Sequence, residues 1–69
     1  MVEVFKTNVQ HRELAEQLVS VLQGRIDFCK INFDLDDCDK VLRIEGNDFV
    51  SGNVIRVLIK RGFMCNLLE

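Results

Sequence analysis

Residues 26–45 read IDFCKINFDLDDCDKVLRIE, and the fold is predicted outward from this segment. On both sides of an acidic turn, apolar residues alternate with mixed ones, which is the period of a half-buried β-strand. The pattern predicts a hairpin with arms over 26–35 and 40–45. The turn at 36–39 is rich in aspartate, whose side chain readily bonds its own backbone.

A helical pattern flanks the hairpin on each side. The first helix is predicted from His11, with Thr7 or Asn8 as its N-cap and Gly24 after its last turn. Its apolar residues recur at intervals of three and four: Leu14, Ala15, Leu18, Val21 and Leu22. A second helix is predicted over 53–61, with Ser51 as N-cap and Gly62 after its end. Short strands over 2–6 and 63–68 complete the order βαββαβ.

Two helices and four strands in this order predict one domain over 1–69. We expect an α+β, ferredoxin-like βαββαβ open-faced sandwich, with both helices on one face of an antiparallel four-stranded sheet. Three connections then share one end of the domain: the first loop at 8–11, the hairpin turn around 37–38 and the corner at 62–65. A site built from loops is expected there.

Composition narrows the functional classes. The chain has 48% hydrophobic and 29% charged residues and a net charge of −2, which is typical of a soluble globular protein. It has no apolar run long enough to cross a bilayer and nothing like a signal peptide, so we expect a cytoplasmic protein without a membrane partner. The nine Lys and Arg residues are spread along the sequence, and no nucleic-acid partner is expected. Three cysteines without CxxC spacing suit a reducing compartment.

Three segments carry a family resemblance: Gly-Arg-Ile at 24–26, Asp-Lys-Val-Leu-Arg-Ile-Glu-Gly at 39–46 and Ile-Lys-Arg-Gly-Phe at 59–63. Through them the chain resembles the heavy-metal-associated domains of copper chaperones and metal-pumping ATPases, over nearly its whole length. The family's metal motif, M-x-C-x-x-C, would fall on Lys6, Asn8 and His11, so both cysteines are lost. Because Cu(I) is held by thiolates and Zn(II) by thiolate or imidazole, the resemblance implies the fold without its metal site.

Three candidate metal ligands remain, one at each shared connection: His11, Cys38 and Cys65. They could form a displaced site, or each could have a structural role. His11 lies in register with the apolar face of the first helix, so we expect it to pack there. The acidic residues 34–39 do not fit a calcium loop, because Asp39 stands where glycine is needed and strands flank the turn. No cofactor is therefore expected.

The sequence offers no catalytic set. It has a single histidine, no Ser/His/Asp or Cys/His arrangement and no glycine-rich phosphate loop, so we expect no enzyme. Strand alternation predicts that Phe5, Phe28 and Val41 point to the open face of the sheet. Such an apolar patch predicts a protein partner or a homodimer through that face. The predicted function is a small non-enzymatic interaction module; the alternative is metal binding or trafficking through the displaced site.

Overall fold

The structure, a computed structural model, describes residues 1–68. Its elements are β1 (Val2–Thr7), α1 (Arg12–Arg25), β2 (Lys30–Asp34), β3 (Val41–Glu45), α2 (Ser51–Lys60) and β4 (Cys65–Leu67). The strands form one antiparallel sheet in the order β2-β3-β1-β4. This confirms the predicted ferredoxin-like arrangement, with β2 and β4 at opposite edges.

The register of the sheet stacks apolar residues on the face that the helices cover. Leu42 of β3 lies opposite Phe33 on one side and Phe5 on the other, and Ile44 lies opposite Ile31. Directly opposite residues share a face, so these side chains form one continuous layer. The helices add the rest of the core, with Ala15, Leu18 and Leu22 from α1 and Val54, Val57 and Leu58 from α2. Each fully buried aliphatic side chain contributes about 1.5–3 kcal/mol.

The helix ends differ from the sequence prediction. His11 is the N-cap of α1 and makes no side-chain capping bond. The predicted caps, Thr7 and Asn8, bond elsewhere. The helix passes through Gly24 to Arg25, and it ends where the Ile26 amide donates to the Leu22 carbonyl at 2.9 Å. Gly24 is thus a helical residue and not a C-terminal stop.

The second helix begins two residues earlier than predicted. Val50 is its N-cap, and Ser51 is already its first residue. The Ser51 hydroxyl donates instead to the Glu3 carboxylate at 3.1 Å, which ties the start of α2 to β1. Neither helix in the described part of the chain has the length and hydropathy needed to span a bilayer.

Candidate functional site

Three connections meet at one end of the sheet, as predicted. The Thr7 amide donates to the Asp39 carbonyl at 3.0 Å, and the Thr7 hydroxyl donates to the Lys40 carbonyl. The Thr7 oxygen also accepts a bond of 3.2 Å from the Val9 amide. On the other side, the Asn8 side chain accepts a bond of 2.8 Å from the Met64 amide. Thr7 at the end of β1 therefore holds the hairpin turn, and Asn8 in the first loop holds the α2–β4 corner.

The three candidate metal ligands have different surroundings at this end. His11 is exposed, so the prediction that it packs at the first turn of the helix is wrong. Cys38 is exposed on the hairpin turn. Cys65 is 3% exposed and lies opposite Thr7 in the sheet. Burial raises the pKa of the Cys65 thiol from 9.0 to about 11, which disfavours the thiolate that a metal needs.

Within residues 1–68, the one group of three potential ligands in mutual reach is Asp37, Cys38 and Asp39. His11 and Cys65 are not part of it. The Asp37 carboxylate accepts a bond of 2.9 Å from the Asp39 amide, and the Asp39 carboxylate lies 3.6 Å from the Lys6 ammonium. Both carboxylates thus have structural partners in the turn, which is the usual role of aspartate there.

The open face of the sheet differs from the prediction at Phe5. Phe5 is 0% exposed and lies in the core, while Val2 and Val4 point to the open face. The prediction had this alternation inverted. The physical reason is the position of β1 between β3 and β4, where Phe5 lies opposite Leu42 and Leu67 and fills the layer beneath the helices.

Phe28 and Val41 do not form one patch. Phe28 lies in a bend before β2, fully exposed and with φ at 59°, so the predicted strand from residue 26 begins only at Lys30. Val41 does lie on the open face, half-buried, opposite Asp34. The register places Lys30 at the other end of the hairpin from Val41, so Phe28 is separated from Val41 by the length of β2.

A different set of apolar side chains occupies the open face. Val4 lies diagonal to Val41, and Leu68 adjoins it through a bond of 2.8 Å from the Leu68 amide to the Val4 carbonyl. These three line a depression of about 410 Å³. Val2 continues the strip along β1. Sequence alternation could have identified Val2 and Val4 as the alternative to Phe5, but not Leu68, whose position depends on how β4 pairs.

The rim of this depression is acidic. Asp34, Asp37 and Asp39 line it together with one cation, Arg43. On the helical side of the sheet, a groove of about 570 Å³ between the helices is lined by four cations and no carboxylate: Arg25, Arg56, Lys60 and Arg61. The basic residues are dispersed in sequence, yet the fold gathers four of the nine. The depression on the open face and the groove between the helices therefore differ in the sign of their charge.

Comparisons with protein families, with curated proteins and with solved structures return no match for this chain.

Proposed function

We propose that this chain is a small non-enzymatic interaction module that resembles a heavy-metal-associated domain without its thiol pair, and that binds a protein partner through its open sheet face. The observation that carries the proposal is the strip of Val4, Val41 and Leu68 beside an acidic rim. No element in the described part of the chain covers this strip. Apolar surface bordered by charge is typical of recognition sites.

The charge of the rim indicates the chemistry of the partner. Asp34 and Asp37 have no ion-pair partner within residues 1–68, and Asp39 has only the exposed pair with Lys6. A partner segment that carries one apolar side chain beside Lys or Arg would meet both features. The aspartates would speed its association and fix its orientation more than they would add affinity.

The displaced metal site has less support as an alternative. It requires His11, Cys38 and Cys65 to supply donors to one ion, but the Cys65 thiol is buried against β1 and neither it nor His11 joins the cluster around Cys38. Metal ligands also need placement to within about 0.2 Å. An NMR titration of the reduced protein with Cu(I) and then Zn(II) tests this alternative directly, and site-specific shifts at these three residues would favour it.

A peptide-display selection tests the proposed function and does not require the natural partner to be identified. Random peptides are selected on the wild-type protein, and the enriched ones are measured by calorimetry and by amide NMR shifts. We expect peptides with an apolar residue next to Lys or Arg, and shifts centred on Val4, Val41 and Leu68.

Val41→Lys is the test variant, and Ile59→Lys is its matched control on the exposed side of α2. Both replace a β-branched aliphatic residue by lysine, but only the first places a cation in the depression. We expect the enriched peptides to bind Val41→Lys at least about tenfold more weakly, which corresponds to the loss of one apolar contact and one favourable charge pair. An equal loss of peptide binding in both variants would contradict the proposal. So would enrichment of acidic peptides that shift the amide signals of the groove between the helices.

A further inference from the structure

We propose that two copies of this chain associate through the β2 edge, with the strands antiparallel and related by a two-fold axis at Asn32. β2 is an edge strand, and in residues 1–68 it pairs only with β3. Natural proteins protect exposed edges with proline, bulges, very short strands or charged side chains, and of these β2 has the charged residues Lys30 and Asp34 at its ends. The chain contains no proline, and the β2–β3 register runs without interruption from Lys30 to Asp34.

The backbone groups that face outward from this edge follow from the hydrogen bonds of the sheet. The Leu68 amide donates to the Val4 carbonyl, so the polar groups of Val4 point toward β4 and away from β3. The direction in which the backbone polar groups point alternates from one residue to the next along a strand. Two directly opposite residues either both point toward each other or both point away from each other. Arg43, opposite Val4, therefore points toward β2 and bonds Asn32. The outward amides and carbonyls of β2 then belong to Ile31 and Phe33, and the described chain gives them no partner.

The β2 sequence is complementary to itself when two copies run antiparallel. It reads Lys-Ile-Asn-Phe-Asp, with a cation at one end, an anion at the other and apolar residues around a central amide. With Asn32 on the axis, Lys30 of each copy lies opposite Asp34 of the second copy. Ile31 lies opposite Phe33 in the same way, and these are the residues whose backbone groups are free. Opposite charges and apolar pairs in direct register stabilise strand pairing.

The surface beside the edge can extend this contact. A groove between α1 and β2 has a mixed lining of apolar and polar residues: Ala15, Val19, Ile31 and Phe33, with Arg12, Glu16 and Asn32. A two-fold axis perpendicular to the sheet keeps the helices of both copies on the same face, next to this groove. The resulting contact is isologous and closes as a dimer. It leaves Val4, Val41 and Leu68 of the open face accessible, whereas Asp34 of the acidic rim would pair with Lys30 of the second copy.

Charge reversal at the two ends of β2 tests the register. Lys30→Asp places two carboxylates opposite each other at both ends of the contact, and Asp34→Lys places two ammonium groups there. We expect each single variant to raise the dimer dissociation constant at least about tenfold, as measured by sedimentation equilibrium at low salt. The double variant Lys30→Asp/Asp34→Lys restores opposite charges and is expected to dimerise like the wild type.

Mixing the two single variants gives the sharpest test, because their charges complement each other in the proposed register and a heterodimer is expected. Lys60→Asp is the control, since it makes the same charge change as Lys30→Asp but lies on α2. In the wild-type dimer, slower amide exchange at Ile31 and Phe33 would support the proposal further. A wild-type chain that stays monomeric at millimolar concentration would overturn it, as would a dimer that survives both single reversals. Loss of dimer in Val41→Lys alone would also overturn it, by placing association on the open face.

Discussion

The side-chain carbonyl of Asn8 accepts a hydrogen bond of 2.8 Å from the backbone amide of Met64, which joins two connections 56 residues apart in the chain. Asn8 occupies the position where the resemblance to heavy-metal-associated domains places the first cysteine of the metal motif. In this chain the residue holds the first loop against the α2–β4 corner. The loop thus has a structural role that requires no metal.

We expect that cysteines in place of Asn8 and His11 create a metal site, as the resemblance of this loop to heavy-metal-associated domains implies. Both residues are exposed just before α1, and two thiolates are the donors that Cu(I) prefers. We expect the reduced double variant Asn8→Cys/His11→Cys to bind Cu(I) stoichiometrically in a competition titration with a chromophoric chelator. Asn8→Ser/His11→Ser controls for loss of the Met64 bond. Equal Cu(I) retention by the serine and cysteine variants would argue against the resemblance.

The two bonds of the Thr7 hydroxyl predict the effect of removing it. Thr7 is buried, and Thr7→Val would leave the Lys40 carbonyl and the Val9 amide without their partner. We expect the free energy of unfolding to fall by about 1–3 kcal/mol. Thr7→Ser keeps the hydroxyl, so its free energy of unfolding should fall by less than that of Thr7→Val in the same urea titration. The opposite order would show that the methyl group of Thr7 matters more than its hydrogen bonds.

The sequence predicted the element order and the shared loop end, because these depend on periodicity and turn residues. The face of β1 was not predictable in this way. Val2, Val4 and Phe5 are all apolar, and only the pairing of Phe5 with Leu42 and Leu67 decides which side is buried. The bend at Phe28 was missed because the residue fits the strand alternation, whereas its backbone is left-handed. One error concerns tertiary pairing and the other concerns backbone conformation. The alternation of apolar residues with a period of two carries no information on either.

Phe28→Asn is expected to stabilise the protein. The φ angle of 59° is unfavourable for a bulky residue, and asparagine adopts this region more readily. Because the ring is fully exposed, its loss removes no packing, and we expect a gain of up to about 1 kcal/mol in the free energy of unfolding. Phe28→Ala removes the ring but keeps a β-carbon at the strained position, so it should leave stability nearly unchanged. A marked loss in Phe28→Ala would indicate that the ring packs in solution.

Gly46 lies against Cys29, and this contact predicts a coupled pair of substitutions. A β-carbon at Gly46 would overlap the Cys29 sulfur and would lie 3.2 Å from the Cys29 β-carbon. We expect Gly46→Ala to lower the free energy of unfolding by about 1–3 kcal/mol through overpacking. Cys29→Ala in the same chain removes the sulfur and should recover part of that loss. A double-mutant cycle in urea measures the coupling, and strictly additive effects would contradict a direct clash.

The buried Cys65 thiol is expected to make the free energy of unfolding depend on pH in alkaline solution. Burial raises its pKa from 9.0 to about 11, so between these values the folded chain keeps a proton that the unfolded chain releases. The contribution of Cys65 is therefore fully present below pH 9 and is lost as the pH rises toward 11, with a total on the order of 2 kcal/mol. Urea titrations from pH 8 to 11 measure how the free energy of unfolding declines with pH. Cys65→Ala is the control, because it keeps every other titrating group: its stability at pH 8 will be lower, but its decline with pH should be shallower than that of the wild type. Parallel declines in the two proteins would show that another group is responsible.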